Sequence, residues 1–236
     1  MLVSTRQKRR KIMKDYRIIE VKESILSDND KDADELRKEL KAQNTFLLNL
    51  MSSPGAGKTT TLVRTINMLK DEFKIGIMEA DIDSDVDAKT ISEAGARTIQ
   101  IHTGGMCHLD ADMTRQGLRE FETEDLDLVV LENVGNLVCP AEFDTGAVRN
   151  AMILSVPEGD DKPLKYPLMF QVANVVLINK CDTLPVFDDF SKEDVVERIR
   201  MRNPYCDIIF VSAKTGEGFE EWANWLRREI RAFQEV

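Results

Sequence analysis

The chain has 236 residues, 42% of them hydrophobic and 31% charged, enough to bury a sizeable core as one large α/β domain. No window reaches the run of about 18 apolar residues that a membrane span needs, and no apolar stretch backs the basic N-terminus as in a secretory signal, so the cytosol is the expected compartment. A formal net charge of −10 argues against broad nucleic-acid binding, and Cys107, Cys139, Cys181 and Cys206 read as reduced thiols, some available as soft metal ligands.

Residues 1–17 depart from the acidic balance. Arg6, Lys8, Arg9, Arg10, Lys11, Lys14 and Arg17 stand against Asp15 alone, the pattern of a solvated, frayed tail. Contact with nucleic acid or an acidic partner stays open, as does an alternative translation start at Met13. Residues 18–236 read as a single domain without internal repeats.

Loose alternation from Arg17 to Leu26 predicts a short strand, and an Asp-rich stretch leads into a helix over Ala33 to Gln43. Thr45-Phe-Leu-Leu-Asn-Leu-Met51 is an unbroken apolar run of the kind buried in a parallel sheet. It enters Ser52-Ser-Pro-Gly55-Ala56-Gly57-Lys58-Thr59-Thr60, and a helix over 58–71 follows. Strand, glycine-rich loop and helix in that order make a phosphate cradle. Gly55, Ala56 and Gly57 curl so that successive N–H groups face phosphate oxygens. Lys58 brings a point charge to the β- and γ-phosphates, Thr59 offers a hydroxyl to Mg2+, and the helix start at Lys58, Thr59 and Thr60 adds partial positive charge. Ser52 stands where the usual pattern has its first glycine, and Pro54 removes one donor.

A strand over 74–80 brings Glu79-Ala-Asp81-Ile-Asp83 to the region of a first switch, with Asp81 the magnesium-associated acid. Asp83, Asp85 and Asp87 read as solvated or helix-capping ahead of a helix at 85–95. A strand at 97–102, a helix at 110–121 and a strand at 127–132 come next; the last ends in Glu132, a second acid for Mg2+, before Asn133-Val-Gly135. Lys58 and Asp81 are the residues expected to carry hydrolysis. No side chain clearly positions the attacking water, so slow intrinsic hydrolysis, accelerated by dimerisation or a partner, is expected.

After a strand at 149–156, the strand Val172-Ala-Asn-Val-Val-Leu-Ile178 ends in Asn179-Lys180-Cys181-Asp182. This N-K-x-D element reads guanine by donor–acceptor matching. The Asp182 carboxylate takes hydrogen bonds from both the ring N–H and the exocyclic amine, whereas adenine leaves it unpaired. Discrimination on that principle reaches roughly 10⁴-fold. A helix at 191–201 and a strand at 207–212 lead to Ser212-Ala213-Lys214-Thr215-Gly216, the backing loop for the guanine ring. A last helix, 218–233, sets Phe219, Trp222, Leu226, Ile230 and Phe233 on one face as a packing stripe. Together these elements predict a three-layer P-loop NTPase fold, α/β with a mostly parallel central sheet flanked by helices, that hydrolyses GTP to GDP and phosphate with Mg2+.

The motifs resemble those of the hydrogenase nickel-incorporation GTPases, the HypB family, in the SIMIBI class of dimerising P-loop GTPases. The likeness runs from S-S-P-G-A-G-K-T-T through G-G-M-C-H-L-D-A-D-M at 104–113, E-N-V-G-N-L-V-C-P at 132–140 and G-D-D-K-P-L-K-Y-P at 159–167 to N-K-C-D and S-A-K-T-G-E-G. It spans about residues 20–234, and serine at position 52 is usual in that family. The resemblance implies a GTP-favoured homodimer that works with other hydrogenase maturation factors to pass nickel to a hydrogenase large-subunit precursor. It also implies a regulatory Ni2+ or Zn2+ site on Cys107, His108 and Cys139; thiolate and imidazole suit either ion. Cys139, shortly after Gly135, would then shift with the γ-phosphate. On the residues alone, Cys107-His108 reads as a structural pair, and Cys181 and Cys206 as buried thiols.

The departures matter too. Only His102 and His108 are present and no cysteine precedes Cys107, so high-capacity nickel storage is not expected. The urease-accessory GTPases, a near alternative, carry a C-P-H element where this chain has Cys139-Pro140-Ala141. A GTP-switched interaction protein with a purely structural zinc is the other alternative.

Overall fold

The apolar runs form one seven-stranded sheet in the computed structural model, which describes residues 21–81, 86–121 and 125–235, apart from the side chains of 21–25, 81 and 86–89. The strands are β1 (Phe46–Ser52), β2 (Ile75–Asp81), β3 (Arg97–His102), β4 (Leu128–Glu132), β5 (Arg149–Ser155), β6 (Val175–Asn179) and β7 (Asp207–Phe210). Their spatial order is β3-β2-β4-β1-β5-β6-β7, and every neighbouring pair is parallel. β1, β4 and β6 are buried from end to end, which is why they read as unbroken apolar runs. The edge strands β3 and β7 carry exposed residues.

Alternate residues of the strands feed opposite cores. On one face Leu48, Ile77, Val130 and Leu177 pack under α2 (Lys58–Leu69), α3 (Val86–Glu93) and α9 (Phe219–Glu235). The stripe expected on α9 is there: Phe219, Trp222, Leu226 and Ile230 are buried, and Phe233 meets Phe46 edge-on at 5.7 Å. On the other face Leu47, Met78 and Val129 pack under α1 (Val21–Gln43) and α4 (Ala111–Phe121). Met152 and Val176 pack there under α7 (Pro167–Val172) and α8 (Lys192–Arg202). Fully burying one such side chain contributes about 1.5–3 kcal/mol, so two such faces fix which way every strand must turn.

Over Val21 to Leu26 the expected strand is replaced by helix. From Val21 onward the chain is α1, and 17–20, like the whole basic tail of 1–17, lie outside the described residues. Packing outweighs the local alternation. Ala33, Leu36 and Leu40 recur at helical spacing and are buried, and the ion pairs Lys31–Asp28 (3.1 Å) and Arg37–Asp34 (3.0 Å) line the outer side. β6 also begins later than expected, because Val172 closes α7. Three short helices had no counterpart in the periodicity: α5 (Cys139–Glu142), α6 (Lys162–Lys165) and α7. Each carries proline in its first turn.

A row of amides crosses the middle of the sheet. Asn133 Nδ2 donates to Asn49 Oδ1 at 3.0 Å, Asn49 Nδ2 to Asn150 Oδ1 at 3.0 Å, and Asn150 Nδ2 to the Val172 carbonyl at 3.2 Å. Asn49 and Asn133 are buried, so this satisfied network ties the end of β4 to β1 and β5. β1 lies between β4 and β5, where successive connections part to opposite sides. The crevice beyond its carboxyl end is where open α/β sheets bind ligands.

Candidate functional site

The phosphate loop leaves β1 at that crevice. Gly57, with φ +99°, is the N-cap of α2 and gives it no side-chain cap, and no acid occupies the first turn. The first N–H groups of α2 are thus left for an anion. Lys58 Nζ rests on Ser52 Oγ at 3.2 Å, which gives Ser52 a role that a glycine could not fill. A Cβ on Gly57 would sit 2.6 Å from Asn179 Nδ2, so this glycine meets both a backbone and a packing demand.

The segments expected to read the base, 179–182 and 212–214, are tied to this loop. Asn179, buried at the end of β6, donates to the Ala56 carbonyl at 2.9 Å and accepts from Ala213 N at 3.0 Å. Lys180, with φ +62°, extends along the loop to the Gly55 carbonyl at 2.7 Å. Ser212 Oγ donates to Asp182 Oδ1 at 2.6 Å and accepts from Thr215 N at 3.1 Å, which fixes the plane of the carboxylate. From α2, Arg64 donates to the carbonyls of Ala213 (2.8 Å) and Lys214 (3.1 Å). Gly218 ends the loop at φ +72°, where a Cβ would lie 2.0 Å from the Phe210 carbonyl.

Acids stand at or near the carboxyl ends of β4 and β2. Glu132 closes β4 in register with Glu79 of β2 and Leu50 of β1, and both carboxylates are buried on the face that α2 covers. The buried Glu132 carboxylate at the end of β4 offers oxygen donors of the kind that fit a hard cation such as Mg2+. Asp81 closes β2 with its backbone in register with His102, but its side chain lies outside the described residues, as do Asp83, Asp85 and the side chain of Asp87.

On the far side of the crevice, Gly104 and Gly105, both at positive φ, turn the chain from β3 toward α4. Cys107 Sγ and His108 Nδ1 stand 3.9 Å apart, and the His108 ring lies flat on Phe143 with centroids 3.7 Å apart. Burial lowers the His108 pKa against the opposing pull of Asp110 and Glu142, which favours the neutral, metal-binding imidazole. Cys139 opens α5 and meets Cys107. The hydrogen bond between the thiols, then burial, raises the Cys139 pKa. Two thiols and an imidazole are the donor chemistry of Ni2+ or Zn2+. Among the described residues, no three His, Cys, Asp or Glu side chains converge as a complete metal site within one chain. Cys181 and Cys206 are buried, as expected, and burial pushes their thiols up to about 11 and about 12.

Residues 46–210 match the family described as CobW/HypB/UreG, nucleotide-binding domain. The hydrogenase maturation factor HypB of Rhizobium leguminosarum bv. viciae is 47% identical over 225 residues, 93% of this chain and 75% of that protein. The chain belongs to the HypB family of P-loop GTPases. The hydrogenase/urease maturation factor HypB of Helicobacter pylori (strain ATCC 700392 / 26695) is 39% identical over 222 residues, covering 92% of this chain and 89% of that one. The crystal structure of HypB from Helicobacter pylori in complex with nickel superposes with a TM-score of 0.81 at 40% identity, over 87% of this chain and 96% of that one. As a HypB-family member the chain is a GTPase. Among the described residues no helix is long and apolar enough to cross a membrane.

The motifs did not single out several residues that shape this HypB-family site. Glu158 accepts from Ser155 N at 2.8 Å and Ser155 Oγ at 2.7 Å, and also takes the hydroxyl of Ser53 in the phosphate loop. Its S-x-x-E spacing, that of a capping box, was the available signal. Gly135 backs onto Pro54, where an added Cβ would lie 3.2 Å from the proline ring. Arg64 and Phe143 act through tertiary contacts and left no local signal.

Proposed function

We propose that the chain is a GTP-hydrolysing metallochaperone that assists nickel insertion into a nickel–iron hydrogenase precursor, its nucleotide state coupled to dimerisation and to metal affinity. The observation that carries this reading is the stacking of His108, the neighbour of Cys107, on Phe143, which brings the Cys107–His108 loop against the segment of Cys139. Cys139 lies on the same short segment as Glu132 and as Gly135, which touches the phosphate loop at Pro54.

In this reading Lys58 leaves Ser52 for the β- and γ-phosphate oxygens, and the uncapped start of α2 at Lys58, Thr59 and Thr60 receives the phosphates. Asp182, oriented by Ser212, reads guanine, while Lys180, Ala213 and Lys214 flank the ring. Asn179 sets the spacing between base and phosphate pockets. Thr59, Glu132 and Asp81 would hold Mg2+, which supplies charge neutralisation at the transferring phosphoryl group. A shift of the phosphate loop on loss of the γ-phosphate reaches Gly135 through Pro54 and displaces Cys139 from its partners.

The thiol–imidazole set is incomplete in one chain, and the apolar Met106 and Val138 are exposed immediately beside it. A second copy related by a two-fold axis supplies the missing ligands and covers those side chains. Other maturation factors and the hydrogenase large-subunit precursor are the partners this role requires. The Helicobacter pylori relative's name joins urease to hydrogenase, which makes a urease precursor the second acceptor to test.

Ni2+ and Zn2+ titrations in GDP and in a non-hydrolysable GTP analogue test the coupling. Nickel affinity is expected to differ between the two nucleotides and to need Cys107. Affinity indifferent to nucleotide sinks the delivery switch and leaves a structural zinc site in its place.

A further inference from the structure

We propose that Asn29 of α1 is a positioning residue for the thiol–imidazole site, a role that rests on the metal reading above. One amide spans both segments that carry the candidate ligands. Asn29 Oδ1 accepts from Ala111 N at 3.0 Å, three residues beyond His108. Asn29 Nδ2 donates to the Asp144 carbonyl at 2.9 Å, five residues beyond Cys139. Neither segment can slide relative to the other without breaking one of these bonds.

The rest of α1 stiffens the same connection. Arg37 Nη2 donates to both carboxylate oxygens of Asp144 at 2.5 Å, while its Nε donates to the Ala147 carbonyl at 3.0 Å. Phe143, adjacent to the clamped Asp144, presents its ring to His108. From α4, Arg115 donates to the Asp32 carbonyl at 2.9 Å and pairs with Glu39 at 3.5 Å, so the helix that follows the Cys107–His108 loop is itself bound to α1. An amide donates from one end and accepts at the other, which lets a single short side chain hold two separate backbone groups. Ligand geometry must hold to within about 0.5 Å, and loss of an outer partner typically weakens metal binding about 10- to 100-fold.

The test titrates Ni2+ alone into the GDP-loaded full chain against a chelating dye, with nickel–thiolate charge-transfer absorption as a second readout and GDP affinity measured on the same sample. Cys107→Ser sets the baseline. Should it bind Ni2+ as well as the natural chain, the metal reading itself is wrong and the role of Asn29 goes with it. Given a Cys107-dependent site, Asn29→Ala is expected to weaken Ni2+ binding about 10-fold and to shift the charge-transfer band, with GDP affinity unchanged. Asn29→Asp keeps the bond from Ala111 N but not the one to Asp144, and is expected to fall between. Unchanged Ni2+ affinity in Asn29→Ala overturns the proposal, and so does an equal loss of GDP affinity, the mark of a general structural role. If Asn29→Ala does not fold, Arg37→Lys, which keeps one cation but cannot hold Asp144 and the Ala147 carbonyl at once, is held to the same pair of outcomes.

Discussion

The side-chain amide of Asn179 donates to the backbone carbonyl of Ala56 at 2.9 Å, so the strand that ends in the base-reading motif is bonded directly to the phosphate loop. Its other end accepts from Ala213 N at 3.0 Å. The segments proposed as base pocket, ring-backing loop and phosphate cradle thus share one buried side chain.

Asn179→Ala leaves a buried N–H and a buried carbonyl without partners. Each such loss costs about 1–3 kcal/mol, so the variant is expected to unfold at lower denaturant and to bind GDP at least about 10-fold more weakly. Equilibrium unfolding together with fluorescent-GDP titration reads both. Natural GDP affinity in a destabilised variant would show that Asn179 serves the fold alone.

Asp182→Asn turns one of the two oxygens that face guanine's donors into a donor itself, while keeping the size of the side chain. GTP affinity is expected to fall by at least about 100-fold and weak ATP binding to stay as it was. Competition binding against both nucleotides checks it; equal loss for the two would mean that Asp182 does not read the base.

Lys58→Ala takes the point charge from the cradle and leaves Ser52 without its cation. Dimer formation driven by a GTP analogue, followed by light scattering, is expected to disappear. Intact GTP binding and assembly would rule out the phosphate role given to this lysine.

The buried thiols set an alkaline limit. Burial raises Cys181 and Cys206 from the ordinary 9.0 to about 11 and about 12, so folding favours their protonated forms. Their contribution to stability is complete below about pH 9 and is lost as pH rises toward the folded values. Denaturant midpoints are expected to fall steeply above about pH 9, and Cys206→Ala to remove part of that slope. Cys107, which is exposed, is expected to react first with iodoacetamide, and Cys181 and Cys206 only on unfolding.

The strands were legible because a strand covered on both faces must be apolar throughout, and the glycines of the cradle because left-handed φ admits little else. Donor–acceptor matching speaks for Asp182 of the N-K-x-D element as a reader of guanine, whereas S-A-K is expected to back the ring only by its place after a strand. What escaped depends on partners distant in sequence. α1 is helical because Leu36 and Leu40 find α4 and β1, contacts invisible in the stretch Arg17 to Leu26. Glu158 and Arg64 reach the nucleotide loops from segments with their own local reasons to exist. The approach of Cys139 to Cys107 needs the turn at Gly104 and Gly105 and the placement of α5, neither of which the periodicity shows.

Hydrogen bonding of Asn133 to both the Asn49 side chain and the Leu50 carbonyl has a mechanical corollary. The end of β4 is an anchored pivot, so a swing that carries Cys139 has its axis beyond residue 133. On the proposed coupling, only Val134 to Cys139 then separate that pivot from the thiol, with Gly135 at its near end.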